Sequence, residues 1–280
     1  MIETIRQMRR TTSQTLANVL TRSMSTSPSE IEIRDLWHDE LCAVDGVAKQ
    51  GWYTPPPAGI IVAIADPPSY DRVEHPSYRT ELTWPSSERH LSTESLLYAY
   101  ASPVHLQSGI IGDIGCSLYR GHDRELRRHM HNVWTLTKRI AEAAKVGMRF
   151  SELYGQAAAL IDEFGFENNI YSVHQGQATN IGHTIPWSNE SMSVDERRII
   201  ETGPPQQRAN LISNKRIFIS QVEAARISSD IALTIEPRLS GPDLPTIGFH
   251  VAVAFTSGNK VVISELDPLF ELFDMEWLST

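Results

Sequence analysis

Leu233-Thr234-Ile235-Glu236-Pro237, running on to Ile247-Gly248-Phe249-His250-Val251, decides how this chain is read. The apolar and β-branched run Ile231–Ile235 predicts a strand. Glu236 closes it, and Pro237 fixes the backbone immediately afterwards. An acid placed this way, ahead of a hairpin, is held at the floor of a site. Phe249–Phe255 predicts the next strand, turned by Ser257-Gly258-Asn259 into a third at Val261–Ser264. Strand alternation puts His250 and Ala252 on one face and Val251 and Val253 on the other.

Upstream, Ile170–Val173, Ile217–Val222, Ile60–Ile64 and Gly109–Gly115 also read as strands, the last interrupted by Asp113. Helical spacing of Ile5, Met8, Leu16, Val19 and Leu20 predicts a helix over residues 3–23. Ser27-Pro28-Ser29-Glu30 reads as the start of a second, with Ser27 as cap and Glu30 closing a capping box, stopping near Gly46. Arg124–Val146 and a helix capped by Ser151 follow, terminated by Gly147 and Gly165. Helices first and antiparallel hairpins afterwards indicate an α+β chain, with helices on one face of a curved sheet. Residues 1–280 are taken as a single domain, within which 50–102 is a long loop region broken by Pro55-Pro56-Pro57, Pro67-Pro68 and Pro76.

With 34 acids against 25 bases the net charge is −9, which disfavours nucleic acid or an anionic membrane as a partner. Cys42 and Cys116 offer neither a disulfide framework nor a ligand pair, and the N-terminus lacks the apolar core of a signal peptide. A cytoplasmic location is therefore expected. The run Arg124, Arg127, Arg128, His129, His131 reads as a solvated helix face, and Trp52, Trp84 and Trp187 as core or dimer contacts.

Several motifs carry chemistry. They are Asp113-Ile114-Gly115, then Tyr119-Arg120-Gly121 with Asp123 and with Glu125 paired to Arg128. His174-Gln175-Gly176-Gln177, His183-Thr184-Ile185-Pro186, Glu236 and Gly248-Phe249-His250-Val251-Ala252-Val253 follow. Their order resembles the creatinase/aminopeptidase, or pita-bread, family, which includes methionine aminopeptidase, prolidase and creatinase. The length is closer to methionine aminopeptidase.

The resemblance implies a pita-bread fold, a curved antiparallel sheet with helices on its outer face. It also implies a site where two aspartates, a histidine and two glutamates hold two divalent ions. Carried onto this sequence, the metal set is Asp113, Glu125, His174 and Glu236, with Ala252 where the bridging glutamate belongs. Glu125 is favoured over Asp123, and both also read as helix N-terminal acids favoured by the helix dipole. One divalent transition metal (Mn, Fe, Co or Zn), or none, is then expected.

His174, His183 and His250 are the catalytic candidates, because an imidazole can both accept and return a proton near neutrality. His250 and Asp123 are candidates for binding substrate, and His75 or His105 for a substrate-side histidine. The function implied is hydrolysis of a C–N bond in a small amide, dipeptide or amino-acid-like molecule, with carboxylates holding metal or a cationic substrate. The alternatives are a lyase or specialised biosynthetic enzyme on the same fold, or a non-catalytic peptide-binding module. A small-molecule substrate and a homodimer are the partners implied by the resemblance.

Overall fold

β-Structure from the two halves of the chain meets where the amide of His250 donates to the carbonyl of Gly115 (2.8 Å). Phe249 bridges Cys116 beside it. The computed structural model describes residues 1–75, 77–169 and 179–278. In chain order the elements are α1 (Ile2–Ser23), α2 (Glu30–Cys42), β1 (Ile60–Ala65), β2 (Leu96–Ala101), β3 (Ile114–Tyr119), α3 (Arg124–Ala143), α4 (Phe150–Glu163) and β4 (Glu167–Asn168). They continue as β5 (Asn180–Thr184), α5 (Val194–Thr202), α6 (Pro205–Lys215), β6 (Phe218–Ser220), β7 (Ile231–Ile235), β8 (Arg238–Gly241), β9 (Leu244–Gly248), β10 (Val251–Thr256), β11 (Asn259–Ile263) and α7 (Asp267–Leu272). All sheet pairings are antiparallel: β11-β10-β7-β5-β6, β1-β2-β3 and β4-β8-β9.

The α+β class follows from where the apolar residues fall. Strands β1, β2, β3, β5 and β7 are buried along their whole length. They therefore read as continuous apolar runs, covered on both faces. α3 buries Leu126, Met130, Val133, Leu136 and Ile140 against β9 and β10, while its opposite side stays solvated. The one exception in its basic run is His129, buried with Nε2 2.9 Å from the Pro245 carbonyl oxygen.

Several boundaries differ from the sequence reading. Ser27 has φ 52°, left-handed and unsuited to an N-cap. Ser29 caps α2 instead, in a reciprocal box with Glu32. That releases Glu30 from capping, and it is fully buried. Arg149, not Ser151, precedes α4. The strand expected at Gly109–Gly115 begins only at Ile114, because Asp113 has φ 36° and breaks extended geometry. Strand β5 and helices α5 and α6 were not anticipated. The strand expected at Ile170–Val173 lies outside the described residues. Among the described residues no helix is long and apolar enough to cross a membrane.

Candidate active site

Asp113 stands immediately before β3, in a left-handed conformation rarely adopted away from glycine and short polar residues. Gly115, two residues on, has a reason to be glycine. A Cβ there would lie 2.4 Å from His250 Nε2, so only a bare backbone lets the imidazole pack.

Arg9, from the middle of α1 and fully buried, ties the two segments together. Its guanidinium donates to the carbonyl of Asp113 (2.6 Å), to that of His250 (2.5 Å) and to that of Ser264 (3.1 and 3.0 Å). Burial lowers its pKa to about 10, which still leaves it charged at neutral pH. Nothing in the local sequence of α1 marks this role, since its partners are distant in the chain.

The other side of the site comes from the five-stranded sheet. His183 on β5 lies opposite Thr234 on β7, and Thr234 opposite Ala252 on β10, so one row of side chains crosses three strands on one face. Glu236 is two residues beyond Thr234, and His250 two residues before Ala252. β5 approaches β7 closely because residue 182 is glycine. Its φ is 141°, and a Cβ would stand 1.9 Å from the Thr234 carbonyl oxygen.

Asp113, His183, Glu236 and His250 thus face one another. His183 Nε2 is 3.5 Å from Asp113 Oδ2 and 3.7 Å from Glu236 Oε1. His250 Nδ1 is 3.5 Å from Glu236 Oε2 and 3.9 Å from Asp113 Oδ1. All four side chains are buried or nearly so, yet both Asp113 oxygens and His250 Nδ1 lack hydrogen-bond partners.

The tautomers sharpen the contrast. His183 Nδ1 is 3.0 Å from the Thr184 carbonyl, which can only accept, so the ring proton sits on Nδ1. Nε2 then turns a lone pair toward two carboxylates. Burial, together with the Arg216 charge, lowers the His183 pKa to about 4, and burial lowers that of His250 to about 3. Glu236 is pushed well above the carboxylate range by burial and by the neighbouring Asp113. Burial opposes ionisation of Asp113 as well, but the imidazoles, the Thr234 hydroxyl and Arg9 hold its pKa below the usual value.

The Asp113 and Glu236 oxygens and the His183 Nε2 lone pair converge in a way that fits a cation. One oxygen each from Asp113 and Glu236 and a nitrogen of His183 lie within 4.8 Å of one another. The oxygen and imidazole donors suit a first-row divalent ion, and the backbone carbonyl holding His183 Nδ1 is the support a ligating histidine needs. Among the described residues the donors for a second ion are missing. Glu125 and Asp123 do not join the cluster, because β3 runs almost directly into α3 without the hairpin that the spacing required. Both lie beyond the far end of a six-residue strand from Asp113, roughly 20 Å of extended chain. Asp123 caps α3 through the amides of Glu125 and Leu126, while Glu125 is exposed and paired with Arg128. Ala252 supplies no ligand. His174 lies outside the described residues, and among those described the histidine grouped with Asp113 and Glu236 as a possible ligand is His183, with His250 facing the same two acids.

Beside this cluster is a cleft of about 100 Å³, walled by Trp52, Tyr53, Tyr78, Tyr98, Tyr100 and Phe218, with Arg216 and Arg238 among its polar residues. Neither His75 nor His105 lines it. The carbonyl of His75 accepts from Arg238, and the His105 ring bonds Ser108. Trp52 is a buried core residue, as its sequence reading allowed, and also forms part of the cleft wall.

The model of metallopeptidase family M24 matches residues 3–240. The chain belongs to this family. Among solved structures, this M24 chain is similar to the X-Pro aminopeptidase from Thermotoga maritima (15% identity, 94% of this chain and 60% of that one, TM-score 0.59). It is also similar to the prolidase from Pyrococcus furiosus (16% identity, 92% and 63%, TM-score 0.58). Against the methionine aminopeptidase from Thermotoga maritima identity is 11%, with coverage of 93% and 96% and a TM-score of 0.56. The chain therefore spans about three fifths of the first two proteins and nearly all of the third. These likenesses establish the pita-bread fold. No curated protein sequence matches the chain. Against the five-ligand, two-ion arrangement typical of M24 enzymes, three described donors and one adjacent imidazole remain.

Proposed function

We propose that this chain is a hydrolase cleaving the C–N bond of a small dipeptide or amino-acid-like substrate, at a centre holding one divalent ion rather than two. One observation carries this reading. The buried Asp113 carboxylate has no hydrogen-bond partner and faces the His183 Nε2 lone pair and Glu236. A buried charge left this way is strongly unfavourable unless something binds it.

Asp113, His183 and Glu236 would be the ligands. A bound ion would polarise the scissile carbonyl and supply a nucleophilic water at neutral pH. His250 is placed to orient the substrate. Its Nε2 is 3.4 Å from the Tyr98 hydroxyl, whose donation would set the ring proton on Nδ1, from which it can hydrogen-bond Glu236 or a substrate oxygen. The aromatic walls keep water from the reacting bond. Membership of M24, and neighbours named for X-Pro aminopeptidase and prolidase activity, support the peptide-like substrate class.

A metal-free reading is favoured by one fact. With its raised pKa, Glu236 can carry a proton that relieves the lone-pair repulsion, leaving acids and imidazoles to move protons unaided. Metal analysis of full-length protein purified without chelator, paired with hydrolysis of a dipeptide panel, separates the two. About one ion per chain with chelator-sensitive turnover is expected. Two ions per chain would overturn the single-ion reading. Turnover with no metal would favour the imidazole route, and neither metal nor turnover a peptide-binding module. Sedimentation would test the homodimer.

A further inference from the structure

Three of the four tyrosines lining the cleft, Tyr78, Tyr98 and Tyr100, are buried, and their hydroxyls are committed differently. Tyr78 accepts from Arg238 Nη2 (3.0 Å). Tyr98 stacks on Tyr78 with the ring centroids 5.7 Å apart, and its hydroxyl is 3.4 Å from His250 Nε2. Arg238 covers both rings, so this pair is built into the scaffold. The Tyr100 hydroxyl makes no hydrogen bond among the described residues. The nearby Ser102 hydroxyl closes no bond of ordinary geometry with it and is itself unpartnered.

Strand pairing places this phenol beside the centre. Tyr98 and Tyr100 share a face of β2, and Tyr100 lies opposite Gly115 of β3, two residues on from Asp113. The His250 ring packs against Gly115 because no Cβ intervenes, and it stands 5.6 Å from the Tyr100 ring. From the other side Tyr53 meets Tyr100 edge-on, at 5.4 Å. The ring is thus fixed between two others. Burial, with the charges of Asp113 and Glu236 close by, pushes its pKa well above the ordinary phenol value. At neutral pH it is an O–H donor with nothing yet to donate to.

A donor held this way has a use in hydrolysis. When water adds to an amide carbonyl, its oxygen bonds to the carbon and the C=O π pair moves onto the carbonyl oxygen. A fixed donor facing that oxygen in a site walled from water binds this state more tightly than the substrate. The pair then returns, the C–N bond breaks, and the leaving nitrogen takes the proton that the water gave up. The phenol keeps its own proton throughout.

We infer that Tyr100 is a catalytic residue of this chain, its hydroxyl donating a hydrogen bond to the oxyanion that forms on the scissile carbonyl. This rests on the hydrolase reading, and it adds a donor that Asp113, His183 and Glu236 do not supply. A ring that merely shapes the cleft is the rival role, and phenylalanine would fill it equally well.

The test is Tyr100→Phe in the full-length chain, which removes one oxygen and keeps the ring. On Mn- or Zn-loaded protein, with a dipeptide that the parent hydrolyses, kcat should fall about 100-fold while KM stays within about twofold. The second readout is equilibrium binding by calorimetry. A phosphinic isostere of that dipeptide carries a tetrahedral, anionic centre like the oxyanion, whereas the product amino acids do not. The variant should bind the phosphinate about 100-fold more weakly and the amino acids as the parent does, with the parent's Tm and metal content. Incorporation of 3-fluorotyrosine at position 100 retains a donor and should retain both kcat and phosphinate affinity.

Unchanged kcat or unchanged phosphinate affinity in Tyr100→Phe, beside a parent that turns dipeptides over, would overturn the inference and leave the hydrolase reading standing. So would a variant that loses phosphinate and amino acids alike, that loses its metal, or that does not fold, since each gives the hydroxyl a structural or ligating role. A parent that hydrolyses no dipeptide would remove the hydrolase reading and this inference with it.

Discussion

Glu30 and Asp113 are both fully buried carboxylates, and they are treated in opposite ways. Glu30 accepts four hydrogen bonds: from the amides of Ile64 (2.6 Å) and Ser86 (2.7 Å), and from Arg72 Nε (3.1 Å) and Nη2 (2.9 Å). Arg72 in turn donates to the carbonyls of Leu82 and Trp84. Every lone pair there has an owner, and the pair pins α2, β1 and the loop after it to one another. Asp113 has no hydrogen bond of ordinary geometry on either oxygen; the nearby Thr234 hydroxyl stabilises its charge without closing one. A fold that can satisfy one buried acid so fully has the means to satisfy another. The orphaned oxygens therefore mark a site that awaits something from outside, whereas the satisfied pair marks scaffold.

The largest effect expected breaks the satisfied member. Glu30→Ala strands the Arg72 charge and two amides, and about 3–5 kcal/mol of stability should be lost in urea unfolding. A loss below about 1 kcal/mol would show that water replaces the carboxylate and that the two clusters are not so different.

Next comes removal of metal from the unsatisfied member. Anything bound only to the folded state stabilises it by mass action, about 2.7 kcal/mol when free ligand is 100 times its Kd. Chelation should lower Tm by several degrees, and readdition of Mn or Zn should restore it. No shift in Tm with any divalent ion would remove the metal centre.

Asp113→Asn tests the same difference with a smaller effect on stability. It deletes both the attraction of Arg9 that helps to hold the Asp113 pKa down and the like charge facing Glu236, two effects of opposite sign. Metal-free protein should therefore stay within about 1 kcal/mol of the parent, while turnover falls at least about 100-fold and chelation no longer moves Tm. A strong destabilisation of the metal-free variant would mean that Asp113 already has a structural partner.

The two acids also differ in how they could be read from sequence. Asp113, His183, Glu236 and His250 were all legible as functional candidates, since each sits in a short motif whose local chemistry survives unaided. Strand β7 was legible to the residue, because an apolar β-branched run ending in Glu-Pro has few other readings. Strand β5 was not: Asn180, Gly182 and His183 lack β-character, and the strand holds only because Gly182 lets β7 approach. Glu30 was read as part of a capping box, since a buried partner 42 residues away leaves no local trace. Arg9 was invisible for the same reason, its carbonyl partners lying 104, 241 and 255 residues on. Glu125 and Asp123 failed because spacing alone cannot tell a hairpin from a strand that leads straight into a helix.

The smallest effect is a pH dependence to which the unsatisfied cluster contributes most, with His105 and His129, also lowered by burial, adding in the direction of its imidazoles. In metal-free protein the pKa values of His183 and His250 are lowered to about 4 and 3, so between the ordinary histidine value of 6.5 and about 4.5 the unfolded chain binds two protons that the folded one refuses. Glu236 works the other way, since its raised pKa lets the folded state keep a proton that the unfolded chain releases above 4.5. Two imidazoles against one carboxyl leave about one net proton on the unfolded side. Stability should then rise with pH across that window at roughly 1.4 kcal/mol per unit. Glu236 is the group of the cluster that lowers stability with rising pH, up to its raised pKa. Urea unfolding across pH 4.5–9 should thus give a maximum near neutrality. Asp113→Asn should flatten the alkaline side, because the like charge that helps to raise Glu236 is gone. An alkaline limb that the substitution leaves unchanged would assign the Glu236 shift to burial alone and separate the two acids electrostatically.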